Sequence, residues 1–283
     1  MARWPLDPSK LWDAWKEITS AAEVAAGLVL AGEPILIARA QELLGTGGGY
    51  ARVWDGPLSG LGGGVLGPTE SLLVFVEPHA EDAAVSALRA AQPAVAAVVV
   101  VDDGPAATGA LTWYGKHIAR ASFSDTDEGW QLVWRAAIDA VDEHVVAIGR
   151  RYPVLRRFAA ERVIRRTSKQ NALVGVVFIL PGTDMPVMTL NQIKMVLAIA
   201  AMFGEEISPE RAIELIGVVG AGFGLRAVAR QALDIVPGVG WAVKGAVGYT
   251  GTRAMGEAAL RYFERGAPAT PTRLTSIVRR FRR

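Results

Sequence analysis

The stretch LVLAGEPILIARAQELLG, residues 28–45, holds the residues of a short apolar strand, a turn at Gly32 and a helix. A phosphate-binding loop has this layout, with the spacing G-x-x-x-x-G-K-[ST]. Its glycines let backbone N–H groups face the phosphates, its lysine neutralises them and its hydroxyl holds Mg²⁺. Counted from Gly32, the second glycine, the lysine and the hydroxyl are replaced by Ile37, Ala38 and Arg39. Pro34 removes one more backbone donor. Arg39 keeps a charge but has neither a glycine cradle nor a magnesium ligand beside it. Two readings follow: an ordinary strand–turn–helix, or a nucleotide domain that has lost its site.

Other chemistries find little support. The chain has no cysteine, which excludes disulfides, thiolate zinc sites, iron–sulfur clusters and thiol catalysis. His79, His117 and His144 are scattered, without the i,i+4 spacing of a helical metal site. SDTDEG, residues 124–129, is too short for an EF-hand loop and lacks its terminal glutamate, so helix capping by Asp125 or Asp127 is the expectation. No G-x-S-x-G elbow occurs. The sequence therefore assigns no catalytic residue, no metal and no cofactor.

The elements that would position these residues fall into two halves. Residues 1–25 contain an amphipathic helix with Leu11, Trp12, Trp15 and Ile18 on one side. In residues 26–150, near-continuous Val/Leu runs (GLVLAG, SLLVFVEP, AVAAVVVVDD) alternate with helical patterns, so the expected fold is α/β with a mostly parallel sheet. GPLSGLGGGVLGP is too rich in glycine for a regular element, and DEGWQLVWRAAIDAVDEHVVAIGRR reads as one long helix. Residues 151–266 are helix-compatible almost throughout and predict an all-α domain. APATPT then reads as a linker into a basic tail, within 267–283. The N-terminal MARWPLDPSKLWDAWKEI has prolines and charges where a signal peptide needs an apolar core.

The order of elements in the first half resembles that of a small, Era-like GTPase domain, with degenerate motifs. Gly32 stands at the phosphate loop, and Asp55 at the magnesium-side aspartate before a glycine-rich stretch. Asp102 stands at the base-reading strand end, and Ser122 at the turn before the last helix. Asn-Lys-x-Asp is absent, with Val101, Asp102, Asp103 and Gly104 in its place. Leu58 occupies the glycine position of D-x-x-G after Asp55. Phosphoryl transfer depends on positioned cations and backbone donors. Losing them together implies a P-loop GTPase-like fold that does not hydrolyse GTP.

The second half resembles the YcjF-like family, a helical domain of unknown function (number 697) that often follows an Era-like GTPase domain. The resemblance rests on Pro181–Pro186 with Asp184, followed by Asn191, Gln192 and Met195. It continues in Phe203–Gly204, in Pro237–Gly240 with Trp241 and Lys244, and in Tyr249, Gly251 and Thr252. It implies association with the cytoplasmic membrane, and neither a reaction nor catalytic residues.

Charge patterning points the same way. The net charge is only +2, yet Arg150, Arg151, Arg156, Arg157, Arg162, Arg165, Arg166 and Lys169 face a single acid, Glu161, and RLTSIVRRFRR forms a second basic block. Such runs are either a solvated helix face or a contact with an anionic surface. The apolar runs Ala172–Leu180, Met195–Phe203 and Ile213–Leu225 are each shorter than the ~20 residues that cross hydrocarbon. A hairpin through Ala172–Phe203 would carry Asp184 and Lys194 into lipid, so a compact bundle is expected ahead of shallow insertion. Gly217, Gly220 and Gly224, and likewise Gly248, Thr252 and Gly256, recur at helical spacing and predict close helix packing.

The resulting expectation is a non-catalytic, GTPase-like protein at the cytoplasmic face of the cell membrane. Its partners would be the anionic membrane surface and a protein, with homo-oligomerisation open. The alternatives are a divergent nucleotide-binding GTPase using Arg39 and Asp55, or a soluble binding or scaffold protein in the cytoplasm. Nucleic acid is not an expected partner, because the basic segments lack interleaved aromatics.

Overall fold

The computed structural model describes residues 8–45, 49–60, 66–90, 97–102, 112–113, 118–141, 143–177, 185–205, 208 and 240–266. The described chain is an α/β unit followed by an α-helical region, as the sequence predicts. Helix α1 (Pro8–Glu23) leads into β1 (Gly27–Gly32), α2 (Pro34–Gly45), β2 (Arg52–Trp54), β3 (Glu70–Val76), α3 (Glu81–Ala90) and β4 (Ala97–Asp102). The short β5 (Thr112–Trp113), β6 (Ile118–Phe123) and α4 (Asp127–Ala140) complete this part. The helical region comprises α5 (Val145–Arg151), α6 (Pro153–Val177), α7 (Met185–Met202) and α8 (Gly240–Glu264).

Across the sheet the strands run β2-β1-β3-β4-β6-β5, all parallel to their neighbours except β5, which is antiparallel to β6. With the edge strand β5 set aside, this is the flavodoxin-like doubly wound order, whose ligand crevice lies outside the carboxyl ends of β1 and β3. Side chains alternate between faces. Leu28, Leu30, Leu73, Phe75, Val98 and Val100 point into the larger core with α2 and α4. Val29, Ala31, Leu72, Val74 and Val76 meet Ala84, Val85 and Leu88 of α3 on the other face. Both faces are covered, which is why the strand sequences are apolar without a polar alternate.

The larger core does not stop at the sheet. It continues through Val145–Ile148 of α5, Leu155, Ala159 and Ile164 of α6, Ile193–Ala200 of α7, and Met255, Ala259 and Phe263 of α8. The junction is made by Arg151 and Tyr152, at the sequence boundary between the halves. Tyr152 is fully buried. Its hydroxyl accepts from the N–H of Leu28 at 3.0 Å and donates to the carbonyl of Tyr50 at 3.1 Å. Arg151 Nη1 donates to the carbonyl of Ala26 at 3.0 Å. The first residues of β1 would otherwise present unpaired backbone groups at the sheet edge.

Several sequence expectations are revised. The single long helix over 127–151 is two helices. Val141 leaves helical geometry with its side chain buried, and the break lets α4 cover the sheet while α5 joins the helical region. Ser122 lies inside β6, opposite Val101, rather than at the start of a turn. Thr126 caps α4 instead of Asp125 or Asp127, its hydroxyl accepting from the N–H of Gly129 at 3.1 Å. Trp12 is 47% exposed and packs edge-on against Trp15, while Leu11 and Ala14 seat α1 in the core. The glycine-rich stretch holds one short 3₁₀ turn, Leu58–Gly60, and its residues 61–65 lie outside the described ones.

Replacing Tyr152 with Phe removes both hydroxyl bonds and leaves the Leu28 N–H buried without an acceptor, so a stability loss of about 1–3 kcal/mol is expected in urea unfolding. Burial raises the Tyr152 phenol above its ordinary value of 10.0, chiefly by desolvation. The native state therefore holds this proton more tightly than the unfolded chain. Its contribution is intact below the unfolded pKa and is lost as pH rises through the raised native one. Y152F should show a shallower loss of stability between neutral and strongly alkaline pH than the parent chain.

Candidate functional site

The carboxyl end of β1 is where a phosphate loop would stand, and its geometry is closed. Gly32 has φ +102°, and a Cβ placed on it would lie 1.9 Å from the carbonyl oxygen of Phe75. A side chain at this position would collide with the β3 backbone, so the glycine is needed for the approach of β1 to β3. The connection to α2 is Glu33 alone, and its N–H donates to the Phe75 carbonyl at 2.9 Å. Pro34 has no N–H, and that of Ile37 donates to the Glu33 carbonyl at 3.0 Å. A phosphate cradle needs several convergent N–H groups and a cation. Here the Glu33 and Ile37 N–H groups are engaged, and Glu33 presents an exposed carboxylate.

The other positions expected at a nucleotide site lie on separate elements. Arg39 pairs with Glu42 on α2 at 2.6 Å, and that hydrogen bond raises its pKa. Asp55 is exposed just after β2. Asp102 ends β4 and Ser122 sits in β6. Among the described residues, no group of three or more His, Asp or Glu side chains is placed to hold a metal ion.

Most cations of the Arg150–Lys169 run have internal partners. Besides Arg151, Arg162 and Arg165 both donate to Asp139 Oδ1 of α4, at 2.7 and 2.6 Å, joining α6 to the helix that covers the sheet. Arg156 donates to the Gly149 carbonyl at 3.4 Å and lies 4.9 Å from the ring centre of Phe203. Burial lowers its pKa. Arg157 pairs with Glu161 at 3.1 Å and approaches Glu264 of α8 at 3.7 Å. Arg150, Arg166 and Lys169 are exposed. On this helix, charge density in the sequence reflects cross-helix ties more than a free basic face.

Three of the residues that carry the family resemblance, Asn191, Gln192 and Thr252, do meet. Asn171 and Thr252 are both fully buried, at the contact of α6 with α8. Asn171 Nδ2 donates to Thr252 Oγ1 at 2.9 Å and to the Met188 carbonyl at 3.3 Å. Its Oδ1 accepts from Asn191 Nδ2 at 2.8 Å. Gln192 Nε2 donates to the same Thr252 hydroxyl at 3.2 Å. Three helices are thus tied by one polar cluster, and no buried side-chain N or O atom among the described residues lacks a partner. Close approach makes this possible. A Cβ at Gly248 would lie 2.8 Å from the Asn171 carbonyl oxygen, and one at Gly256 would lie 2.6 Å from Ile164 Cγ1.

Asn171 is the member that the sequence reading missed. Its signal was an amide at the apolar end of α6, four residues before Gly175 and with no charged residue following in that helix. Trp241 and Lys244 fall in the first turns of α8. Pro181, Asp184 and the glycines at 217, 220 and 224 lie outside the described residues.

The cluster fixes helix register and offers no reactive group: its members are neutral amides and one hydroxyl. Thr252→Val would leave the Asn171 and Gln192 amides without their shared acceptor. A loss of about 1–3 kcal/mol in guanidinium unfolding is expected, together with broadened amide resonances in α6 and α8.

Comparison with curated proteins and with solved structures gives no match for the chain. A family model does match, over residues 148–282, and it is described as Domain of unknown function (DUF697). That span begins inside α5, where the chain leaves the α/β unit, and takes in α6, α7, α8 and the Asn171–Thr252 cluster. The helical half of this chain carries the DUF697 domain.

Proposed function

We propose that this is a non-catalytic, GTPase-like protein that acts by binding a partner protein and the anionic cytoplasmic face of the cell membrane. The observation that carries the non-catalytic part is the β1–α2 connection. Gly32 is packed against Phe75, and Glu33 stands where an anion would approach. The GTPase-like part rests on the succession of elements along the chain. The strand order across the sheet is the flavodoxin-like one.

Membrane association is supported by the family resemblance and by the basic C-terminal block. No helix among the described residues is long and apolar enough to cross a membrane. Arg156, Arg157, Arg162 and Arg165 of α6 are tied to the Gly149 carbonyl, Glu161 and Asp139, so the attachment assigned here is peripheral and uses the arginines of residues 273–283. The same internal ties favour the second reading, a soluble scaffold protein, whose discriminating result is given below.

Calorimetric titration of the full chain with GTP or ATP and Mg²⁺ should show no saturable binding up to millimolar nucleotide. A one-to-one isotherm at micromolar nucleotide overturns the non-catalytic reading. In co-sedimentation with phosphatidylserine-containing vesicles, the parent chain should bind in low salt and be released by high salt. Each cation near such a surface contributes ~1 kcal/mol, so changing the five arginines of residues 273–283 to Gln should weaken binding on the order of 10³-fold. Arg162→Gln with Arg165→Gln should leave vesicle binding intact while lowering stability. A parent chain that stays in the supernatant at low salt supports the scaffold reading.

A further inference from the structure

A groove of about 390 Å³ runs between the second half of α1 and the end of α7. Its floor is apolar, made by Trp15, Ile18, Ala22, Leu197 and Ala201, and Glu23 and Glu205 stand exposed at its rim beside Arg150. The end of α7 is rigidly shaped. Gly204, with φ +77°, closes the helix in a Schellman turn: its N–H donates to the Ala201 carbonyl at 3.0 Å, and that of Glu205 to the Ala200 carbonyl at 3.1 Å. The turn holds Glu205 at the groove.

The end of α8 is tied to the end of α7 that lines this groove. Phe263, near the end of α8, stacks on Phe203 with ring centres 5.9 Å apart, and Phe203 lies between the lining residues Ala201 and Glu205. The described chain ends at Gly266, and APATPT, six residues extending at most ~20 Å, leads into RLTSIVRRFRR. In that block Leu274, Ile277, Val278 and Phe281 recur at i, i+3, i+4 and i+7. This spacing is that of an amphipathic helix laid into an apolar groove. The five arginines fall outside the stripe and complement the rim carboxylates.

We propose that residues 273–283 dock into the α1–α7 groove of their own chain, with the Leu274–Phe281 stripe on Trp15, Ile18 and Leu197 and the arginines toward Glu23 and Glu205. An 11-residue helical segment is ~16 Å long, about three turns, and the α1 wall of the groove, from Trp15 to Glu23, is about two turns long. The chemistry recognised is a basic amphipathic segment, and the tether makes the chain's own copy the one at highest local concentration. This inference stands apart from the vesicle-binding reading, because it concerns the protein without lipid.

The absence of cysteine makes the test direct. In the full chain, Thr19→Cys at the groove is paired with Thr275→Cys on the flank of the stripe, and a short bis-maleimide is added at low protein concentration. The control pairs Thr275→Cys with Asp82→Cys, exposed on α3 across the sheet. Docking predicts an intramolecular crosslink at least about tenfold faster for the groove pair than for the control. It also predicts loss of that excess when Ile277→Glu and Phe281→Glu are added, with circular dichroism unchanged in the core helices. Equal rates for the two pairs overturn the proposal. So does a crosslink formed only between molecules, which would make the occupant a second copy. Failure of vesicle binding leaves this result untouched, and failure of the crosslink leaves the vesicle result untouched.

Discussion

The architecture turns on one buried phenol. Tyr152 sits between α5 and α6, yet its hydroxyl is bonded to the backbone of β1 and of the segment entering β2. A parallel sheet ends in backbone groups that must be paired or solvated, and at this edge the helical region pairs them. Arg151 does the same for Ala26, and Glu70 closes the edge from β3 by accepting from Arg52 at 2.7 Å and from the N–H of Gly67 at 2.8 Å. The α/β unit and the helical region therefore share one core. Their boundary in sequence is a structural joint, and not a linker.

Within the helical region, polarity and close packing depend on one another. The glycines of α8 bring its backbone onto α6, and the approach places Thr252 against Asn171. The buried amides are tolerated because each donor and acceptor finds its partner, and the geometry that satisfies them exists in one register only. The arginine run of α6 follows similar logic on the outside of the same helix. Arg162 and Arg165 share Asp139, so the carboxylate of α4 draws α6 toward the helix that covers the sheet. Charges that look like a surface in one dimension are in three dimensions a seam between layers.

The carboxyl edge of the sheet is the counterpart of this seam. In a doubly wound fold that edge is the natural place for a ligand. Here Gly32 permits β1 to pair with β3 to its last residue, where a Cβ would lie 1.9 Å from the Phe75 carbonyl oxygen. The α/β unit shares its larger core with α5, α6, α7 and α8.

Much of the fold was legible because it is written in short-range patterns. The apolar runs of β1, β3 and β4, the helical stripes of α2 and α3, and the missing second glycine, lysine and hydroxyl after Gly32 all follow from residue type and spacing. The break after α4 and the placement of Ser122 within β6 were not legible. Val141 is as good a helix interior residue as a buried turn residue until its burial partner is known, and IARASF has the alternation of a weak strand only beside Val98–Val101. The sequence by itself determined that the phosphate-loop motif is missing after Gly32, that cysteine chemistry is absent and that α8 packs closely on a neighbour. Only the tertiary structure decided which neighbour, that Asn171 joins Asn191, Gln192 and Thr252, and that the α6 cations face Asp139 and Glu161. The reason is physical: local patterns fix what a residue can do with its chain neighbours, whereas the partner of a buried amide or a cation lies tens of residues away.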